Sequence, residues 1–150
     1  MNRRQVYAVG TCVVALAVGS CGSSVQYTAP TEPEATVRGF LNAVQSNSLI
    51  AMGELFGTDR GPAVSYMDRE ELVKRLTVIQ SFLTHDEFEV LGPSNRASIT
   101  QSPNQRTLDI RLSRAGCSPV VPFTLVRYRG GWLVQQIDLE AAGNPRRRCR

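Results

Sequence analysis

Four cysteines and a single histidine are the only thiols and the only imidazole in this 150-residue chain. His85 is followed directly by Asp86, and a histidine oriented by a carboxylate is the commonest general acid/base near neutral pH. Adjacent residues on a strand point to opposite faces, however, so Asp86 is badly placed to orient its own neighbour. The pair falls where a helical period gives way to an alternating one, and a histidine there also suits a helix C-terminal dipole. His85 and Asp86 are therefore weak catalytic candidates, with Asp109 and Tyr66 as their only prospective helpers. A metal centre needs several clustered ligands, which one histidine and widely spaced cysteines do not supply. No phosphate-binding loop, dinucleotide glycine motif or serine-nucleophile elbow is present, so no cofactor is expected.

The thiols sort by position. Asn2-Arg3-Arg4 is a short basic segment, and Val6 to Val18 is an apolar run, the layout of a secretory leader. That run is too short to cross a bilayer comfortably, which takes about 20 predominantly apolar residues. It ends in Val18-Gly19-Ser20-Cys21, which resembles the bacterial lipobox. The resemblance implies removal of residues 1–20 and attachment of diacylglycerol and further acyl chains such as palmitate to Cys21. Several acyl chains exceed the marginal hold of one. Residues 21–30, opening with Gly22-Ser23-Ser24, read as a flexible tether. The residue after Cys21 is glycine, so the destination, inner or outer membrane, stays open.

An exported, lipid-anchored domain at a bacterial cell envelope constrains the rest. The net charge of +4 invites a nucleic-acid reading, but Arg3 and Arg4 leave with the leader. Of the 15 basic residues that remain against 13 acidic ones, four are Arg146, Arg147, Arg148 and Arg150. The body then carries 11 against 13, with no basic stripe, which argues against nucleic acid as a partner. Residues 141–150 read as an arginine-rich tail, either a soluble end or a contact for anionic headgroups.

Between these ends lies one small domain, residues 31–140. Thr31-Glu32-Pro33-Glu34 reads as a capping box that opens a helix running to about Ser46, with Ala35, Val37, Phe40, Leu41 and Val44 recurring at helical spacing. A short helix with Leu49, Ile50, Met52, Leu55 and Phe56 follows. Asp68 caps a third, with Leu72, Leu76, Ile79, Phe82 and Leu83 as its buried stripe. From His85 the period becomes two. Strands are expected at 85–91, 97–101, 108–112, 120–129 and 132–140, with a turn at Gly92-Pro93 and the last hairpin joined through Gly130-Gly131. Phe123, Leu125 and Tyr128 are expected to face Leu133, Ile137 and Leu139. Helices followed by an antiparallel meander make an α+β domain.

Cys117 and Cys149 remain as an even pair in an oxidising setting, where disulfides persist. In a meander, the turn before Val120 and the end of the Trp132 strand lie at one end of the sheet. The tail from 141 to 149 can double back to that turn at about 3.3 Å per residue, so a Cys117–Cys149 disulfide is expected.

The order of elements, the Pro33-Glu34-Ala35-Thr36-Val37-Arg38-Gly39-Phe40 helix opening and the Arg127-Tyr128-Arg129-Gly130-Gly131-Trp132-Leu133-Val134 hairpin together resemble the NTF2-like (SnoaL-like) superfamily. That resemblance covers about residues 31 to 140. A cystatin-like roll, the nearest alternative, normally starts with one long helix. The resemblance implies a cone-shaped roll with three helices packed on a curved sheet and a pocket between them, for which Tyr66, Tyr128 and Trp132 are candidate lining residues. In that superfamily the pocket can hold a small apolar ligand, perform acid/base chemistry through His/Asp pairs, or be filled by side chains, and fold alone does not choose. The leading expectation is a non-catalytic binding domain for a small apolar ligand or an envelope protein partner. The alternative is an envelope hydrolase, isomerase or dehydratase built on His85. Nothing in the sequence sets an oligomeric state.

Overall fold

The computed structural model describes residues 27–95, 102–114 and 116–144. The leader, Cys21, the start of the tether, the strand expected at 97–101, the tail arginines and Cys149 lie outside these residues.

Pro33–Gln45 form α1. Val37, Phe40, Leu41 and Val44 recur at helical spacing and are all buried, which turns one apolar stripe inward. Its N-cap is Glu32, without a side-chain cap bond, and Pro33 occupies the first turn. Thr31 is therefore not the cap. Proline fixes its own φ and lacks an N–H, so it starts a helix without a capping hydroxyl. The buried Thr36 hydroxyl instead donates to the Trp132 carbonyl at 3.1 Å, tying α1 to the last strand.

Leu49–Leu55 form α2, followed by a two-residue ribbon, β1 (Gly57–Thr58) with β2 (Gly61–Pro62), and a 3₁₀ turn at Ala63–Ser65. In α3 (Arg69–Leu83) the Asp68 carboxylate accepts from the Glu70 and Glu71 amides, as the sequence predicts. Leu72, Leu76, Ile79 and Leu83 are its buried residues.

Four strands then pair antiparallel in sequence order: β3 (Glu87–Pro93), β4 (Gln105–Ser113), β5 (Val120–Tyr128) and β6 (Gly131–Ile137). Helices followed by an antiparallel sheet make a mixed α+β domain. Leu108, Ile110 and Leu112 of β4 and Val121, Phe123 and Leu125 of β5 are buried in the core that the helices cover. Phe40 sits 6.3 Å from Phe123 and 6.4 Å from Phe56, ring centre to ring centre, so aromatic side chains fill the space between α1 and the sheet.

Several boundaries differ from the sequence reading. Gly92-Pro93 continues β3 instead of turning, because pairing with β4 shifts between Val90 and Gly92 and a bulge absorbs Leu91. The last strand ends at Ile137. Asp138 then accepts from the Ala141 amide and starts a short helix, α4 (Leu139–Ala142), whose Ala142 is buried, so the domain extends into the expected tail. Arg129 and Gly130 both have positive φ, 46° and 84°, the signature of a two-residue type I′ hairpin. The turn is thus Arg129-Gly130, while Gly131 pairs with Tyr128 inside the ladder.

A second bulge between Thr124 and Leu125 sends Leu133 away from Phe123 and Leu125. Leu133 and Val126 instead pack with Ala29 in a separate cluster that Tyr27 and Tyr128 border. The segment Tyr27–Pro30, expected as the end of the tether, is docked: the Trp132 amide donates to the Pro30 carbonyl at 2.8 Å. A Cβ at Gly131 would lie 2.3 Å from the Ala29 carbonyl oxygen, so only glycine permits this approach.

Docking leaves a titration signature. The Tyr27 phenol is pushed up to about 12, first by burial and second by the Glu54 carboxylate. Folding therefore favours the neutral phenol, whereas an unfolded tyrosine ionises near 10. The stabilisation is complete below about pH 10 and is lost as pH rises towards 12. We expect an absorbance titration to show a tyrosine ionising well above 10, a step that Tyr27→Phe removes. Wild-type protein should lose stability relative to Tyr27→Phe over that window, and parallel curves would contradict the docking.

Candidate functional site

An apolar groove opens between α2, the 3₁₀ turn and α3, with a volume of about 400 Å³. Leu49 and Ile50 come from the start of α2, Val64 and Met67 from the turn and the residues after it, and Leu72, Val73 and Leu76 from α3. Arg69, at the first position of α3, is the single charged lining residue. The elements approach closely here because α2 carries Gly53, where a Cβ would meet the Val64 side chain at 2.7 Å.

Ile50 is 71% exposed, Val64 45% and Val73 42%. Exposed apolar side chains scattered singly need no explanation, but these three, from separate elements, border one groove. Leu72 and Leu76 belong to the inward stripe of α3 and form the floor, and Val73 widens that stripe towards solvent. The sequence held this signal as an excess: Ile50 beside Leu49, and Val73 beside Leu72, exceed what one buried face requires.

The residues singled out from the sequence lie elsewhere. Tyr66 is half-buried against the core, with the Arg60 guanidinium 4.8 Å from its ring centre. Tyr128 belongs to the outer cluster, and its ring lies 3.3 Å from where a Cβ on Gly61 would stand. Trp132 is buried, with Arg106 and Arg127 over it at 5.8 and 5.2 Å. None of the three lines the groove.

His85 is 7% exposed. Its Nδ1 donates to the Leu83 carbonyl at 2.7 Å, its ring packs edge-on to Phe88 at 5.4 Å, and Nε2 has no hydrogen-bond partner among the described residues. Asp86 is exposed and contributes only its backbone: its amide donates to Ser113 and its carbonyl accepts from Gln45. Asp109 lies on the β4 face opposite Leu108 and Ile110, paired with Gly92 and Pro122. No carboxylate hydrogen-bonds the imidazole among the described residues. The histidine closes the end of α3 by satisfying one of its last carbonyls.

Cys117 is held in a disulfide; the cysteine expected opposite it, Cys149, lies outside the described residues. Cys117 and Arg114 exchange backbone hydrogen bonds across the β4–β5 turn. The Arg114 guanidinium donates to the Phe82 carbonyl at 2.8 Å and to the Ala142 carbonyl, joining the ends of α3 and α4 to that turn. Burial pulls its pKa below the usual value, and an arginine so lowered still stays charged near neutrality.

Among the described residues no group of histidine, cysteine and carboxylate side chains could hold a metal ion, and no helix is long and apolar enough to cross a membrane. No protein-family model, curated protein or solved structure matches the chain.

Proposed function

We propose that this chain is an exported, lipid-anchored envelope protein with an NTF2-like roll, and that it binds a small apolar molecule in the groove between α2 and α3. The observation that carries the binding half is the exposed apolar cluster of Ile50, Val64 and Val73 around a volume of about 400 Å³. That size falls within the range of small-molecule sites, which are mostly apolar with a few placed polar groups. Arg69 is the one charged residue lining the groove among the described residues, so a ligand with a single acidic end on an apolar body fits best. The anchor half rests on the leader and on Cys21, and the same export reading supports pairing Cys117 with Cys149. The domain acts as a carrier or sensor. Among the described residues the groove is lined by no nucleophile with a base beside it, and His85 packs at the far end of α3.

Native mass spectrometry of the purified protein after incubation with envelope extract tests the binding. A bound species of low mass is expected. Val73→Asp places a carboxylate one turn from Arg69, where it competes for that guanidinium and repels the acidic end of the ligand, and should weaken binding at least about ten-fold. Val73 is already 42% exposed, so this change spares the fold. A polypeptide in place of a small molecule, or binding indifferent to Val73→Asp, would overturn the reading.

A further inference from the structure

The cations of this domain are unevenly treated. Lys74, Arg75 and Arg111 sit in ion pairs with Glu70, Glu71 and Glu89, and Arg114 is bound to carbonyls. Arg60, Arg106, Arg127 and Arg129 make no ion pair among the described residues. All four are exposed, and each guanidinium lies over an aromatic ring, Tyr66, Trp132 or Tyr128. They gather at one end of the domain. Arg129 is in the β5–β6 turn, Arg127 pairs with Trp132 beside it, Arg106 starts β4 at the same end, and Arg60 precedes Gly61, which abuts Tyr128.

The chain also reaches the domain at this end, since Ala29 lies on Gly131 and Pro30 accepts from Trp132. Six residue steps separate Cys21 from Tyr27, a span of at most about 20 Å. We propose that this end is a membrane-facing surface, and that Arg60, Arg106, Arg127 and Arg129 meet anionic lipid headgroups on it. The proposal rests on the anchor reading of Cys21. Stacked arginines and the half-buried phenols of Tyr27 and Tyr128 suit an interface that is wet on one side and apolar on the other. Glu54 lies near Tyr27 and Asp59 precedes Arg60 in the chain, so the positive excess is reduced and the tether must hold it at the surface.

The test uses the full chain, produced in a bacterium that processes leaders, on vesicles of phosphatidylcholine alone or with phosphatidylglycerol. Flotation on neutral vesicles reports the anchor separately. Amide exchange of residues 127–131 is expected to slow on anionic vesicles relative to neutral ones, and to recover in high salt. The contact should weaken about five-fold for each arginine changed to glutamine, whereas Arg127→Lys with Arg129→Lys keeps the charge and the protection. Equal exchange on both vesicles overturns the proposal. If the protein floats on neutral vesicles not at all, the anchor reading fails, and flotation on anionic vesicles decides the surface. Salt-sensitive flotation lost in Arg106→Gln/Arg127→Gln/Arg129→Gln sustains it, and none overturns it.

Discussion

Replacing Phe40 by alanine is expected to destabilise the domain by about 3–5 kcal/mol, the usual cost of removing a buried phenylalanine. Phe40 is fully buried. It meets Phe123 of β5 edge-on, with 72° between the ring planes, and Phe56 at the exit of α2 at 37°. One ring thus joins α1 and the exit of α2 to a strand some eighty residues further on. Its loss removes transfer free energy, leaves a cavity, and deletes two aromatic contacts whose geometry adds about 0.5–1.5 kcal/mol each. The site collapses poorly, because Val37, Leu41 and Met52 around it are themselves fully buried and close-packed. Against a typical total stability of about 5–15 kcal/mol, the variant should unfold at a much lower urea concentration with an unchanged slope. Ile50→Ala, on a side chain that is 71% exposed, is the matched control and should change little. A cost below about 1 kcal/mol for Phe40→Ala would mean that α1 does not pack on the sheet as described.

The second large effect is at Cys117. With Cys149 as partner, the disulfide closes a loop of about 30 residues and should contribute about 3–4 kcal/mol in the chain-entropy model. Its loss should be felt at two helix ends as well. The β4–β5 turn that holds Cys117 also positions Arg114, whose guanidinium bonds carbonyls at the ends of α3 and α4. Cys117→Ser and reduction of the wild type should therefore lower the unfolding midpoint alike, and reductant should do nothing further to the variant. Peptide mapping without reductant is expected to recover the segments around residues 117 and 149 as one linked species. Recovery of the two peptides separately from native protein would refute the pairing.

Local signals were legible wherever the chain's own chemistry decided the outcome. The 3.6 period in Val37, Phe40, Leu41 and Val44 gave α1, Asp68 gave the start of α3, and the alternation of Leu108, Ile110 and Leu112 gave the face of β4. Asp109 and Arg111 then fell on the other face without further argument. Two of the misread boundaries lie where an additional residue enters a ladder. A bulge at Leu91 carried β3 through Gly92-Pro93, and a bulge after Thr124 shifted Leu133 to the outer cluster. Such an insertion reverses the facing of everything beyond it, and no residue type announces it.

The sequence by itself determined the α+β order and most of the apolar stripes, because each depends on neighbours within a few residues. The tertiary structure alone decided where an apolar surface is left over. Ile50, Val64 and Val73 come from three elements, and only their packing shows that no described residue covers them. The same holds for His85, whose reach to Leu83 is local but whose distance from the groove is not. It holds too for Tyr27–Pro30, a segment polar enough to read as tether until Gly131, more than a hundred residues later, makes room for its carbonyl.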